Sequence, residues 1–187
     1  MYIIEEKTIK SYTIQVVYDE CSDSPRNWDE LGTFYSNHRE YNPDNHSIEE
    51  LVEMFPPREG VDEIFNEDAM SRQFVWIRVY AYIHGNIALR TSPFNDPWDS
   101  GLFAIYAVNK DKVRKEWNKK VVSRQLREKV EKVLAGEVDC YGKFISGDVY
   151  GYRILDPSED VIDACYGYYC NDYEELFEEA ESIINSL

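Results

Sequence analysis

Apolar and polar positions change their period along this chain, and the changes mark its elements. The most apolar stretch, residues 74–108, opens with Val75, Ile77, Val79, Ala81 and Ile83 alternating with Phe74, Trp76, Arg78, Tyr80, Tyr82 and His84. A period of two predicts a strand with one small aliphatic face and one aromatic face. A Pro-rich loop then leads to a second apolar strand ending at Val108. Residues 12–18, β-branched and aromatic, predict another strand. Residues 147–155 and 161–170 predict two more, joined through Asp156, Pro157 and Ser158 as an antiparallel hairpin.

Elsewhere the period lengthens to that of a helix. Ser47 with Glu50 forms a capping box, and Ile48, Leu51, Val52 and Phe55 share one face until Pro56 and Pro57 end the element. Residues 61–70 predict a further turn or two. From Val113 and Trp117 through Val121, Val122, Leu126, Val130, Val133 and Leu134, the spacing predicts one long helix, or two broken near Asn118, with Gly136 as the stop. Tyr173, Leu176, Phe177, Ala180, Ile183, Ile184 and Leu187 fall on one face of a final helix, whose start Asp172 and Glu175 would cap. Residues 19–45 show no clear period, the mark of a functional or partner-facing loop or of a hidden element. Strands and helices do not alternate as βαβ units. The expected fold is α+β, an antiparallel sheet of about four or more strands packed with two or three amphipathic helices. A chain of 187 residues fits a single domain, residues 1–187.

Charge adds a partner to this picture. The chain has 36 acidic and 20 basic residues, a net charge of −16, which argues against a nucleic-acid or anionic-membrane binder and favours a basic partner. Residues 110–132 hold ten of the basic residues against four acids, so this segment is +6 and the remainder −22. Direct nucleic-acid contact, if any, belongs to that segment; its cations would equally neutralise acidic helices of this chain or of a second copy, which keeps a homodimer open. Residues 44–68 carry nine acids against Arg58, and residues 156–187 carry ten and no base. Asp172, Glu174, Glu175, Glu178, Glu179 and Glu181 form the polar face of the final helix. A helix of about sixteen residues is about 24 Å long, over which duplex DNA carries roughly 14 charges. Six carboxylates fall short of that density. With the 44–68 run beside them, Glu49 and Glu53 included, they would approach it and fit a basic DNA-binding groove on a partner. The alternative is an ordinary solvated face.

No catalytic signature stands out, and the chain reads as a non-enzyme without a cofactor. The segments SPRNWDELG (24–32) and SPFNDPWDSG (92–101, preceded by Thr91) echo each other, each opening on Ser-Pro and closing on Trp-Asp and Gly. Trp28 and Trp98 are candidates for buried plugs or for partner hot spots. Asp96 and Asp99, with Ser92 and Asn95, offer oxygen ligands to a hard cation, though without EF-hand spacing, and serve equally to cap a turn. His38, His46 and His84 show no zinc spacing, and Cys21, Cys140, Cys165 and Cys170 form no CxxC pair, as expected of reduced thiols. No signal peptide is recognisable and no apolar run nears the ~20 residues of a membrane helix, so the expected location is the cytoplasm, away from membranes.

Together with GEVDCYGKFISGDVYGY (136–152) and DACYGYYC (163–170), the two Trp-Asp segments resemble a family of small acidic proteins carried by bacteriophages and other mobile elements of Gram-positive bacteria. Some of these inhibit the RNA-guided DNA nuclease of type II CRISPR systems. The resemblance implies an anti-CRISPR protein of the bacterial host cytoplasm that binds the nuclease or its guide complex stoichiometrically and hinders engagement or cleavage of target DNA. It transfers no residue roles. Acidic surfaces suit such a partner, because the nuclease holds nucleic acid in positively charged channels. Two alternatives stand beside it: an antirestriction-type DNA mimic aimed at another DNA-binding enzyme, and a small phage enzyme or metal binder using Asp96 and Asp99.

Overall fold

In the computed structural model, which describes residues 2–169 and 173–187, the elements run β1 (Ile3–Ile9), β2 (Tyr12–Tyr18), β3 (Thr33–Ser36), α1 (Ile48–Met54), α2 (Glu67–Gln73), β4 (Phe74–Ile83), β5 (Ile87–Arg90), β6 (Ser100–Asn109), α3 (Lys110–Glu116), α4 (Arg124–Ser146), β7 (Tyr150–Leu155), β8 (Val161–Tyr168) and α5 (Glu174–Ser186). The fold is α+β, with two four-stranded antiparallel sheets. The chain divides into two compact units, Met1–Ser24 with Lys143–Leu187, and Pro25–Gly142. In chain order the second is inserted between β2 and β7 of the first.

The first unit's sheet is ordered β1-β2-β7-β8. Alternation along β2 and β7 turns Ile14, Val16, Tyr152 and Ile154 to one face, where Leu176, Phe177, Ala180 and Ile184 of α5 complete a core. Burying a Leu, Ile or Phe side chain contributes about 1.5–3 kcal/mol. This packing holds α5 in place, since its N-cap, Tyr173, makes no side-chain cap bond. The cap expected from Asp172 falls outside the described residues. The β7–β8 hairpin forms as its sequence predicts, with Asp156 Oδ1 accepting from the N–H groups of Ser158 (2.7 Å) and Asp160 (3.0 Å). Opposite Tyr166, Gly151 leaves room for the aromatic ring, which lies 2.3 Å from where a Cβ would stand. β1 has no clear apolar pattern because it is an edge strand with Glu5, Glu6 and Lys7 exposed.

The second unit's sheet is ordered β3-β6-β4-β5. One face carries Tyr35, Ile105, Ala107, Phe74 and Trp76 and packs against Leu51, Phe55, Phe65 and Met70 from the α1–α2 region. The aromatic side of β4 is therefore core where it begins. On the opposite face, the Phe34 ring lies 4.2 Å from Tyr106 and 5.1 Å from Tyr141 of α4. The Ser47 capping box is present, and α1 ends at Phe55 before the two prolines. Within residues 19–45 the hidden element is β3, whose Phe34, Tyr35 and Ser36 are buried beside β6. The expected break near Asn118 occurs, as α3 closes on Trp117 and Asn118 takes a positive φ of 48°. Gly136, expected as a stop, instead lies within α4 with open space around it. A mid-helix glycine costs about 1 kcal/mol relative to alanine. Val138 and Tyr141, buried farther along α4, offset that cost.

Candidate functional site: an acidic helix face and a projecting tryptophan loop

Charge divides unevenly between the units. By sequence the first holds 16 acidic and 4 basic residues and the second 20 and 16, so the first carries −12 and the second −4. The same helical period that buries Leu176 and Phe177 turns Glu174, Glu175, Glu178 and Glu179 outward, and all four are exposed. Glu179 also accepts a 2.7 Å hydrogen bond from the Tyr168 hydroxyl, and Glu181, partly buried, pairs with Lys7. Burial and the Glu179 carboxylate push the Tyr152 hydroxyl up to about 12. Asp172 lies outside the described residues.

Residues 44–68 belong to the second unit and present fewer outward carboxylates than their sequence suggests. Asp44 pairs with Arg26 (2.7 Å) and accepts from the Phe34 N–H (2.6 Å). Glu50 accepts from the Ser47 N–H (3.0 Å) and lies 2.8 Å from His46 Nδ1, and these contacts hold its carboxyl below the usual carboxylate range. Glu63 and Asp68 clasp Arg58, and Glu67 pairs with Arg78. Of the two candidates in this run, Glu49 accepts from Asn37 Nδ2 (2.9 Å) and Glu53 is exposed on α1.

In the second unit the Trp98 indole is 91% exposed on the loop between β5 and β6. That loop is tightly held. Asp96 Oδ1 accepts from the N–H groups of Trp98 (2.9 Å) and Asp99 (3.0 Å), while the Asp96 carbonyl accepts from the Ser100 hydroxyl. The two N–H groups, Asp99's first, keep the Asp96 carboxyl below its ordinary value. Arg90 lies 3.7 Å over the Phe94 ring and donates to the carbonyls of Ser92 (3.0 Å) and Pro93 (2.6 Å). The Asp99 carboxylate lies 2.8 Å from His84 Nδ1, and its carbonyl accepts from the Ile83 N–H (2.8 Å). Asp96 and Asp99 thus organise the turn. A loop backbone held in this way needs little further ordering on meeting a partner.

The other Trp-Asp segment is built differently. Arg26, on a single 3-10 turn (Pro25–Asn27), pairs with Glu30 and Asp44 and donates to the Tyr106 hydroxyl (2.8 Å) and the Gly32 carbonyl (3.1 Å). The Tyr106 hydroxyl in turn donates to Glu137 Oε2 (2.8 Å), and Glu137 accepts from the N–H groups of Leu31 (2.7 Å) and Gly32 (3.1 Å). Burial and Glu137 raise the Tyr106 hydroxyl well above the ordinary tyrosine value, Arg26 opposing them. These groups engage one another and fix the segment against β6 and α4. Sequence reasoning missed Arg26, Glu30 and Glu137; the only signal was the i,i+4 spacing of Arg26 and Glu30. Trp28 is 49% exposed, so neither tryptophan is a buried plug.

Part of the basic segment is neutralised locally, since Arg114, Arg124 and Arg127 pair with Asp111, Glu128 and Glu131. Among the described residues no group of three or more His, Cys, Asp or Glu is placed to hold a metal ion, and no helix is long and apolar enough to cross a membrane. No protein-family model, curated protein or solved structure matches this chain. The geometry offers two features suited to binding: an acidic helix face in one unit and, in the other, an indole projecting from a tightly held loop.

Proposed function

We propose that the protein works by stoichiometric binding, applying its acidic first unit to a basic nucleic-acid-binding surface of a partner protein. The observation that carries this reading is the concentration of −12 in the first unit, with Glu174, Glu175 and Glu178 outward on α5. The partner nominated by the sequence resemblance is the RNA-guided nuclease of a type II CRISPR system, whose engagement or cleavage of target DNA the protein hinders in the bacterial cytoplasm. In the second unit, Trp98 offers an apolar contact of its own.

The test is DNA cleavage by a guide-loaded type II nuclease, titrated with this protein before and after guide loading, at low and high salt. Cleavage is expected to fall near equimolar protein, and the inhibition to weaken with salt as an electrostatic competitor requires. The triple variant Glu174→Gln, Glu175→Gln, Glu178→Gln alters only exposed side chains and should inhibit roughly tenfold less well, a loss of about 1.4 kcal/mol. Unchanged cleavage at a molar excess removes the nuclease as the target. Inhibition of a restriction enzyme instead would support the antirestriction-type DNA mimic.

A further inference from the structure

The second unit contains an open strand edge that this binding does not use. β5 pairs only with residues 80–83 of β4, so, among the described residues, 74–79 have β6 on one side and no strand on the other. The Ile83 N–H turns toward the carbonyl of Asp99, the residue before β6. Alternation then turns the peptide groups of Tyr82 and Tyr80 toward β5, and those of Arg78 and Trp76 the same way, beyond the end of β5. Among the described residues no backbone hydrogen bond reaches Arg78 or Trp76 from that side. Across the gap stands α4, leaving a groove of about 930 Å³. Six residues of open edge extend about 20 Å at 3.3 Å per residue.

The far wall of this groove has its own charge. Glu128 and Glu131 are held by Arg124 (2.9 Å) and Arg127 (2.8 Å). Lys129 and Lys132 are exposed and, among the described residues, make no ion pair, Lys129 Nζ lying 6.0 Å over the Trp117 ring. The charge left unmatched along the groove is therefore positive, in a protein whose net charge is −16. Natural edge strands are usually covered or blunted; this one stays open along a channel with cationic side chains opposite it.

We propose that the groove takes an extended peptide segment of a partner protein, which adds as a strand to β4 at Trp76 and Arg78 and directs carboxylates toward Lys129 and Lys132. An exposed edge supplies affinity through main-chain hydrogen bonds, and side-chain contacts along the groove supply selectivity. Single-stranded nucleic acid would meet the lysines but has no peptide groups to complete the ladder.

The full chain, displayed against a library of random short peptides, tests this. Selected peptides are expected to be rich in Asp and Glu and to slow amide hydrogen exchange at Trp76 and Arg78. The double variant Lys129→Glu, Lys132→Glu should weaken them by at least about tenfold. Arg78→Pro removes an N–H facing the open edge, where proline is tolerated without loss of the β6 ladder, and should abolish binding, whereas Arg78→Ala, which also frees Glu67 but keeps the N–H, should retain it. The proposal is overturned if no peptide is enriched, if the enriched peptides are basic, if they leave Trp76 and Arg78 unprotected, or if they bind the charge-reversed variant as tightly. It is equally overturned if a single-stranded oligonucleotide, and no peptide, binds with this dependence on Lys129 and Lys132.

Discussion

Residues 25–32 and 93–101 share an opening Pro, a Trp-Asp pair and a closing Gly, yet the first segment is bound into the second unit's interior and the second stands out from it. The residue after the proline makes the difference. Arg26 finds Glu30, Asp44 and Tyr106, whereas Phe94 finds the flat face of Arg90 on the surface. The closing glycines diverge in the same way. A Cβ on Gly32 would stand 2.5 Å from the Tyr106 ring and 2.8 Å from Leu134, while at Gly101 it would meet nothing within 4 Å. Similar words in a sequence therefore mark a structural clamp in one place and a presented side chain in the other.

The largest effect that would break this comparison is at the two arginines. Arg26→Ala strands the partly buried Glu30 and Asp44 and should destabilise the protein by about 3–5 kcal/mol, read from urea unfolding. Arg90→Ala should cost less than about 1 kcal/mol, the range of an exposed cation–π contact. Equal costs would show that the clamp is no more than a surface contact.

Next come the glycines. Gly32→Ala overpacks a rigid site and is expected to cost about 1–3 kcal/mol, whereas Gly101→Ala should lie within about 0.5 kcal/mol of the parent. Trp98→Ala sharpens the contrast from the other side. Thermal stability should shift by no more than about 0.5 kcal/mol, while partner affinity falls by about tenfold or more, or 1.4 kcal/mol. A Trp98 variant that binds as well as the parent would make the projecting indole irrelevant to function.

The smallest effects are in pH, and they have opposite signs. The Tyr106 hydroxyl is raised in the folded state above its ordinary value of 10, so the unfolded chain releases that proton first. Its contribution to stability is present below pH 10 and lost as pH rises beyond it. Tyr141, pushed up to about 12 by burial and Asp44, acts in the same direction, so Tyr106→Phe should flatten the alkaline loss without abolishing it. The Asp96 carboxyl is held below its ordinary value of 3.8 in the fold. Its ordering of the Trp98 loop is present above that value and lost as pH falls below it. Fluorescence of Trp98 during acid titration checks this, and Asp96→Asn should change the acid response.

Most elements were legible because their periods are local. β2, α1, the β7–β8 hairpin and the buried stripe of α5 each follow from which residues are apolar and how far apart they stand. β1 was hidden because an exposed edge strand needs no apolar face, and β3 because four residues are too few to show a period. Of the candidate residues, Glu174, Glu175, Glu178, Glu49 and Glu53 are exposed; Glu179, also exposed, and Glu181 bond within the first unit. Of the nine acids in the 44–68 run, Asp44, Glu63, Glu67 and Asp68 pair with Arg26, Arg58 or Arg78, while Glu49, Glu53, Glu59 and Asp62 are exposed.

The α+β class, the helix faces and the acidity of the final helix follow from the order of residues alone, because each depends on side-chain periods within a few residues. That the chain divides into two units, that Gly136 stays inside a helix, and that Arg26 is clamped while Trp98 projects emerge only on folding. Those outcomes depend on burial and pairing between residues far apart in the chain. Such contacts override local propensities of about 1 kcal/mol whenever they contribute more.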